Sequence, residues 1–285
     1  MKIAIIADSV SCPTKEQLEK YEFEIVPINV RIEGKVYRDY IDITPTQIYR
    51  MLDKIQEGWA TSAPSPGDWL ASYKRAMEKG AKEIICITIF KNQSATWNSA
   101  RIAAEMIKSD HPDLKIEIID SRTAGAGENI LCQIAAKERE KGKTFEEIVS
   151  LIKDLTGQVR VYLLPETIKY VYRSGRVPEI VSKIGSRLPL KIIMGVHLDK
   201  VSFEGTALSK EKGVEKILKT LRETYDKNYP DIILMHADAQ KEIEELSKKV
   251  SDLLPQSQIT ISDFSAVTGY MTGPGTLLLG FIAKK

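Results

Sequence analysis

Apolar and polar positions along the chain alternate between two periods, short runs that read as strands and longer 3.6-residue patterns that read as helices. Lys2–Ala7 is a short apolar strand, Pro13–Tyr21 a helix and Phe23–Val30 a second strand. Glu33-Gly34 marks a hairpin turn between Asn29–Ile32 and Lys35–Tyr37. Thr44-Pro45-Thr46-Gln47 starts a helix, with a threonine cap, proline at the first position and glutamine three residues on. Ser65-Pro66-Gly67-Asp68 repeats that device. Glu83–Ile89 is a buried strand, Ser94–Lys108 a helix, Leu114–Ile119 a strand, and a helix follows around Ile130–Glu140. Strands separated by helices pair in parallel and are covered on both faces. The first half therefore reads as an open, doubly wound α/β domain.

A second unit begins near Gln158. Its predicted elements are a strand at Val159–Leu163, a short helix at Pro165–Tyr172 and a helix at Val177–Arg187. Paired strands follow at Leu190–Leu198 and Val201–Phe203, turning at Asp199-Lys200. Then come a helix at Ser209–Tyr225, a strand at Asp231–His236, a helix at Lys241–Leu254 and strands at Gln258–Phe264 and Thr276–Ala283. The pattern predicts a parallel sheet in residues 1–157 and a mixed α/β sheet in 158–285. No linker rich in Pro, Gly or Ser separates them, which predicts close packing and a cleft at the junction.

Composition removes several function classes. The 285 residues are 43% hydrophobic and 28% charged, with a net charge of +2. That is ordinary for a globular chain and gives no strong field for nucleic acid or a membrane surface. No 18-residue apolar run exists, so no spanning helix is expected. The opening Met1–Asp8 reads as a strand and not as a signal peptide, because its apolar run is short and Asp8 interrupts it. These features predict a cytoplasmic protein. Cys12, Cys86 and Cys132 are scattered and odd in number, which argues against disulfides and against a zinc site. His111, His197 and His236 follow no ligand spacing, so no metal is expected. Gly125-Ala126-Gly127 suggests a dinucleotide loop, but Ile130 stands where the third glycine belongs. No P-loop, H-E-x-x-H or G-x-S-x-G motif is present, and no cofactor is expected.

Candidate chemistry concentrates in two hydroxyl-rich turns, Ala60–Gly67 and Phe90–Trp97, each ahead of a helix. Hydroxyls beside backbone N–H groups at a helix start cradle a carboxylate or phosphate. Ser65 is explained by capping alone, whereas Thr61 and Ser62 lie upstream of that cap. Ser94 is open to either reading. A hydrolase or transferase using Ser62 or Ser94 is the rival class, and it lacks a motif-linked base.

Asp8-Ser9, Thr61-Ser62-Ala63-Pro64-Ser65-Pro66, Asp120-Ser121, Ser174-Gly175-Arg176-Val177 and Gly273-Pro274-Gly275 occur in the order typical of the DegV family. The chain resembles that family over nearly its whole length. The resemblance implies a bacterial fatty-acid-binding protein, not an enzyme, with two α/β domains. The acyl chain would lie in an apolar tunnel to which the second domain contributes, and the carboxylate would meet hydroxyls near the junction. Some members present the bound acid to a separate fatty acid kinase that makes the acyl-phosphate. Thr61 matches the threonine that reaches the carboxylate, Ser94 the serine of the family's Ser-Gly-Thr turn, and Arg176 an arginine linked to kinase docking. Ala95 replaces the glycine of that turn, and Ser174 replaces the first glycine before Arg176. Met271 stands where the family often carries a histidine, leaving the neighbouring Tyr270 as the available hydroxyl.

Overall fold

The computed structural model describes residues 2–52, 59–177 and 190–285. The helix expected over Val177–Arg187 lies, from residue 178 on, outside the described residues.

In chain order the first half runs β1 (Ile3–Asp8), α1 (Lys15–Tyr21), β2 (Glu24–Val26), β3 (Asn29–Ile32), β4 (Lys35–Arg38), α2 (Pro45–Met51), β5 (Ala60–Ser62) and α3 (Pro66–Glu78). It continues with β6 (Glu83–Thr88), α4 (Thr96–Asp110), β7 (Lys115–Asp120), α5 (Ala126–Glu140) and α6 (Phe145–Leu155). The second half carries β8 (Val159–Leu164), α7 (Ile168–Arg173), β9 (Lys191–His197), β10 (Lys200–Ala207), α8 (Lys210–Thr224) and β11 (Asp231–His236). It ends with α9 (Gln240–Leu253), β12 (Gln258–Asp263), α10 (Ala266–Thr272) and β13 (Leu277–Ile282).

Strands β2-β1-β6-β7 form an all-parallel sheet. Alternation along β1 sends Ile3, Ile5 and Ala7 to the α5–α6 face and Ala4 and Ile6 to the α3–α4 face. Both faces are thus covered, as the near-continuous apolar strands predict. Strands β10-β9-β8-β13-β11-β12 form a mixed sheet in which only β11 and β12 are parallel. Leu163, Met194, Met235 and Leu278 face the parallel sheet's core, while Leu164, Ile193, Leu234 and Leu279 pack under α8 and α9. Every strand of the parallel sheet precedes Gln158 and every strand of the mixed sheet follows it. The largest apolar cluster nevertheless draws on both halves.

The shared element is α5, whose residues from Ala126 to Ala136 are all buried. It lies between the two sheets, in contact with β1 and β6 on one side and β8, β11 and β13 on the other. Gly127 of the Gly125-x-Gly127 pattern serves this packing. A Cβ at Gly127 would sit 2.7 Å from Val159 Cγ1, and one at Gly280 2.7 Å from the Ala126 Cβ.

Three sequence expectations change. The strand expected over Phe23–Val30 is broken at Pro27, which has no N–H for a ladder. Its first part joins the parallel sheet, and its second part a separate antiparallel sheet ordered β4-β3-β5. The start of the first hydroxyl turn is strand β5, with Thr61 opposite Val30. The turn between β9 and β10 is Leu198-Asp199, both at positive φ (54° and 66°), one residue earlier than expected. The Glu33-Gly34 hairpin turn has φ of 49° and 84°, both positive as a type I′ turn requires.

The antiparallel sheet packs with α2, α7 and α10 around Val30, Ile48, Tyr170 and Val267. This assembly caps the carboxyl ends of the parallel strands. The order β2-β1-β6 makes the chain leave β1 in opposite directions, a topological switch point where α/β sheets open a crevice.

Candidate functional site

A cavity of about 330 Å3 occupies that crevice. Val10, Ile89 and Phe90 reach it from just beyond β1 and β6, and Leu163, Met194 and Leu278 from the mixed sheet. Val267, Thr268, Met271 and Thr272 of α10 form another wall. Val10, Ile28, Phe90, Leu163, Met194 and Leu278 are buried, so the inner part is closed and apolar.

Its polar end is the open one. Thr61 and Ser62 come from β5, and Gln93, Ser94 and Ala95 from the turn into α4. Ser174 and Arg176 come from the turn after α7. Arg176 Nη2 donates to Thr61 Oγ1 at 3.3 Å and Gln93 Nε2 donates to the Arg176 carbonyl at 3.3 Å, so three distant segments meet. A second guanidinium nitrogen, Nη1, donates to the Ser174 carbonyl at 2.7 Å. That carbonyl is at the C-cap of α7, where a cation meets the negative helix end. Gly175 at φ 70° provides the left-handed residue that stops the helix. Ser174 fills its position with a role of its own: it donates to the Val171 carbonyl at 2.6 Å and accepts from the Arg176 N–H at 3.3 Å.

Ser94 and Thr96 share a hydroxyl hydrogen bond of 2.7 Å, and the Thr96 N–H donates to Ser94 Oγ. Ala95 occupies the N-cap of α4 without a side-chain cap, at φ −74°, an ordinary value that alanine adopts without strain. The glycine it replaces is therefore dispensable for backbone geometry here. Helix α5 also begins without a side-chain cap, at the cavity-lining Gly125. Arg176 is the only ionisable side chain among the described lining residues. The arrangement suits an anionic head with an apolar tail.

Thr61, Ser62, Ser94, Ala95, Met271 and Arg176 all line this cavity. Tyr270 does not: its ring stacks on Trp59 with centroids 4.7 Å apart, inside the α2–α10 packing. Arg176, expected on a partner-facing turn, is exposed there, and its guanidinium also reaches the Thr61 hydroxyl. Sequence reasoning missed Gln93, Thr268 and Thr272, and it missed α10 itself. The only signal for α10 was Ser265, which caps by accepting from the Thr268 N–H. Neither Ser62 nor Ser94 is hydrogen-bonded to a histidine among the described residues. His197 Nδ1 lies 3.2 Å from the Val161 carbonyl, and His236 accepts from the Ala239 N–H with Asp263 at 3.1 Å.

Fold and cavity together define an α/β protein of two packed sheets, with an enclosed apolar chamber whose mouth is lined by hydroxyls and one arginine. A family model described as "Uncharacterised protein, DegV family" matches residues 2–284. The chain is 31% identical over its full length to a DegV domain-containing protein of Clostridium acetobutylicum, of which it covers 99%. A stearic acid-binding protein from Eubacterium ventriosum superposes with a TM-score of 0.86 at 25% identity, covering 100% of this chain and 99% of that one. The fatty acid kinase B3 protein of Streptococcus pneumoniae, solved loaded with linoleic acid, gives 0.87 at 23% identity over the whole of both chains. This protein belongs to the DegV family.

Proposed function

We propose that this protein binds one long-chain fatty acid per chain, with its carboxylate at the Thr61–Ser94–Arg176 mouth and its tail in the chamber beyond. The observation that carries the reading is the polarity of the cavity. Its inner wall is apolar and buried, and the one charged side chain among the described lining residues donates to a hydroxyl at the open end. About 14 methylenes of a sixteen-carbon acid, at ~0.8 kcal/mol each, contribute roughly 11 kcal/mol before ordering costs are subtracted. An unpaired buried carboxylate would forfeit much of that, so the head must meet donors. Fatty acids bound by the Eubacterium and Streptococcus relatives support the same ligand class. Among the described residues no histidine is hydrogen-bonded to Ser62 or Ser94, so nothing there favours the hydrolase reading. Among the described residues no helix is long and apolar enough to cross a membrane. We place the protein in the cytoplasm and assign it no nucleic-acid partner.

Presentation of the bound acid to a fatty acid kinase is the second half of the proposal, supported by the Streptococcus relative. Met271 supplies no proton donor at the cavity wall, and Thr61, Ser94 and Arg176 are the donors assigned to the head group here. The test is extraction of gently purified protein followed by mass spectrometry. A stoichiometric long-chain acid is expected, and no acid together with no uptake of added acid would overturn the reading. Thr61→Val and Ser94→Ala should each weaken binding by roughly 1.5–3 kcal/mol, the cost of one hydrogen bond to a charged group. Unchanged affinity in both would remove them from the head-group site.

A further inference from the structure

Helix α10 is seven residues long and rich in residues with poor helix propensity, yet it forms a cavity wall. Besides its cap Ser265, a group 227 positions away in sequence holds its N-terminus: Asp39 Oδ1 accepts the Ala266 N–H at 3.0 Å. The other oxygen, Oδ2, accepts the Ser9 hydroxyl at 2.8 Å, and Ser9 Oγ accepts the Ile28 N–H at 3.1 Å. Asp39 and Ser9 are both fully buried. One carboxylate therefore joins the turn after β1, the segment before β3 and the start of α10. Each of these segments sends a side chain into the cavity, namely Val10, Ile28 and Val267.

We propose that Asp39 is the positioning residue of this site, its ionised carboxylate holding the α10 wall in the geometry that binds the ligand. The titratable groups facing it are Asp8 at the end of β1, Cys12 beyond the following turn, its neighbour Tyr40, and Tyr49 on α2. Among the described residues none is a cation, so hydrogen bonds are what oppose burial. Burial pushes Asp39 up to about 6, against the bonds from Ser265, Ser9, Ala266 and Val267. Protonation removes an acceptor and releases the Ser9–Ala266 link. The competent fraction should then fall about tenfold for each pH unit below the Asp39 midpoint, and apparent affinity with it.

The inference rests on the fatty-acid reading for its ligand only. The test is palmitate affinity between pH 5 and 8 for the whole protein, Asp39→Asn and Ser9→Ala. The wild type should lose affinity as pH falls through about 6. Asp39→Asn should be weaker at pH 8 and flatter, because the acid's own titration is common to both proteins. Ser9→Ala removes a bond that favours the carboxylate, so its midpoint should move to higher pH. A structural role alone would lower affinity without moving a midpoint. Identical profiles in all three proteins overturn the proposal. If no protein binds palmitate, the functional reading fails, and amide exchange of Ala266 and Val267 in ligand-free protein decides instead. Protection that falls with acid in the wild type but not in Asp39→Asn supports the latch, and equal protection in both refutes it.

Discussion

Glu128 sits in the first turn of α5, fully buried between the sheets, and among the described residues neither carboxyl oxygen has a partner at hydrogen-bond geometry. Its neighbour Asp8 is equally buried but accepts the Val10 and Ile89 N–H groups at 3.0 and 2.8 Å. Burial pushes both acids up, Asp8 to about 7 and Glu128 well above the usual carboxylate range, with repulsion from Asp8 adding to the latter. Two N–H donors favour the Asp8 carboxylate, whereas for Glu128 burial and repulsion outweigh the single backbone N–H of Asp8 on its side, so the proton belongs on Glu128. The native protein then keeps a proton that the unfolded chain releases near pH 4.5. A group with a raised native pKa stabilises fully below its unfolded value and loses that contribution as pH rises. The slope is about 1.4 kcal/mol per pH unit.

Glu128→Gln keeps the shape and deletes the titration. Variant and wild type should have similar stability near pH 4.5, and the variant should gain progressively above it. From pH 4.5 to 7 the accumulated difference is roughly 3 kcal/mol, a large share of a typical folding free energy. Denaturant unfolding of ligand-free protein at three pH values measures it. Asp8 keeps its own slope of the same sign in both proteins, so the informative quantity is the difference between the curves. Parallel curves, or a variant less stable at every pH, would refute the reasoning and mean that Glu128 is ionised and satisfied. The site is involved because Val10 and Ile89, which hold Asp8, line the cavity.

Arg176→Ala should weaken fatty-acid binding about tenfold or less, since the guanidinium is exposed and screened. Its wild-type affinity should drop with added salt while the variant's does not, as isothermal titration at two ionic strengths would reveal. Gly127→Ala puts a Cβ 2.6 Å from Thr123 and 2.7 Å from Val159, an overpacking cost of about 1–3 kcal/mol. It should lower the denaturant midpoint without changing the slope of the transition.

Local chemistry made most elements legible. The caps at Thr44 and Ser65 are full capping boxes, with Gln47 and Asp68 reaching back to the cap N–H. The apolar runs of β1 and β6 pair in parallel as their composition requires. Helix α6 carried an equally readable signal, the Thr144–Glu147 box ahead of an amphipathic run, and sequence reading passed over it. Helix α5 was harder for a physical reason. With both sheets packed on it, it has no exposed face through its first eleven residues, and even its polar Asn129 and Gln133 are buried in hydrogen bonds, so periodicity marked only its later part. Helix α10 was hard to see because its local cap, Ser265, is followed by residues of poor helix propensity, and the further acceptor at its start, Asp39, comes from the other half of the chain.

The candidate site divides along the same line. Thr61 stood out because local capping did not use it up, while Ser94 stayed open to either reading and does accept the Thr96 N–H. Arg176 read as an exposed turn residue because its own neighbours, Ser174 and Gly175, make a helix stop. Its contact with Thr61 spans 115 positions and exists only once β5 pairs with β3 and α7 packs against α10. Tyr270 shows the converse. Adjacency to Met271 put its hydroxyl in the site, but successive residues of a helix point about 100° apart. Helical geometry turns Met271 to the cavity and Tyr270 to Trp59. Hydroxyl surplus, then, locates the mouth of such a cavity from sequence. Which cation and which helix face complete it is decided by packing between segments that no local pattern connects.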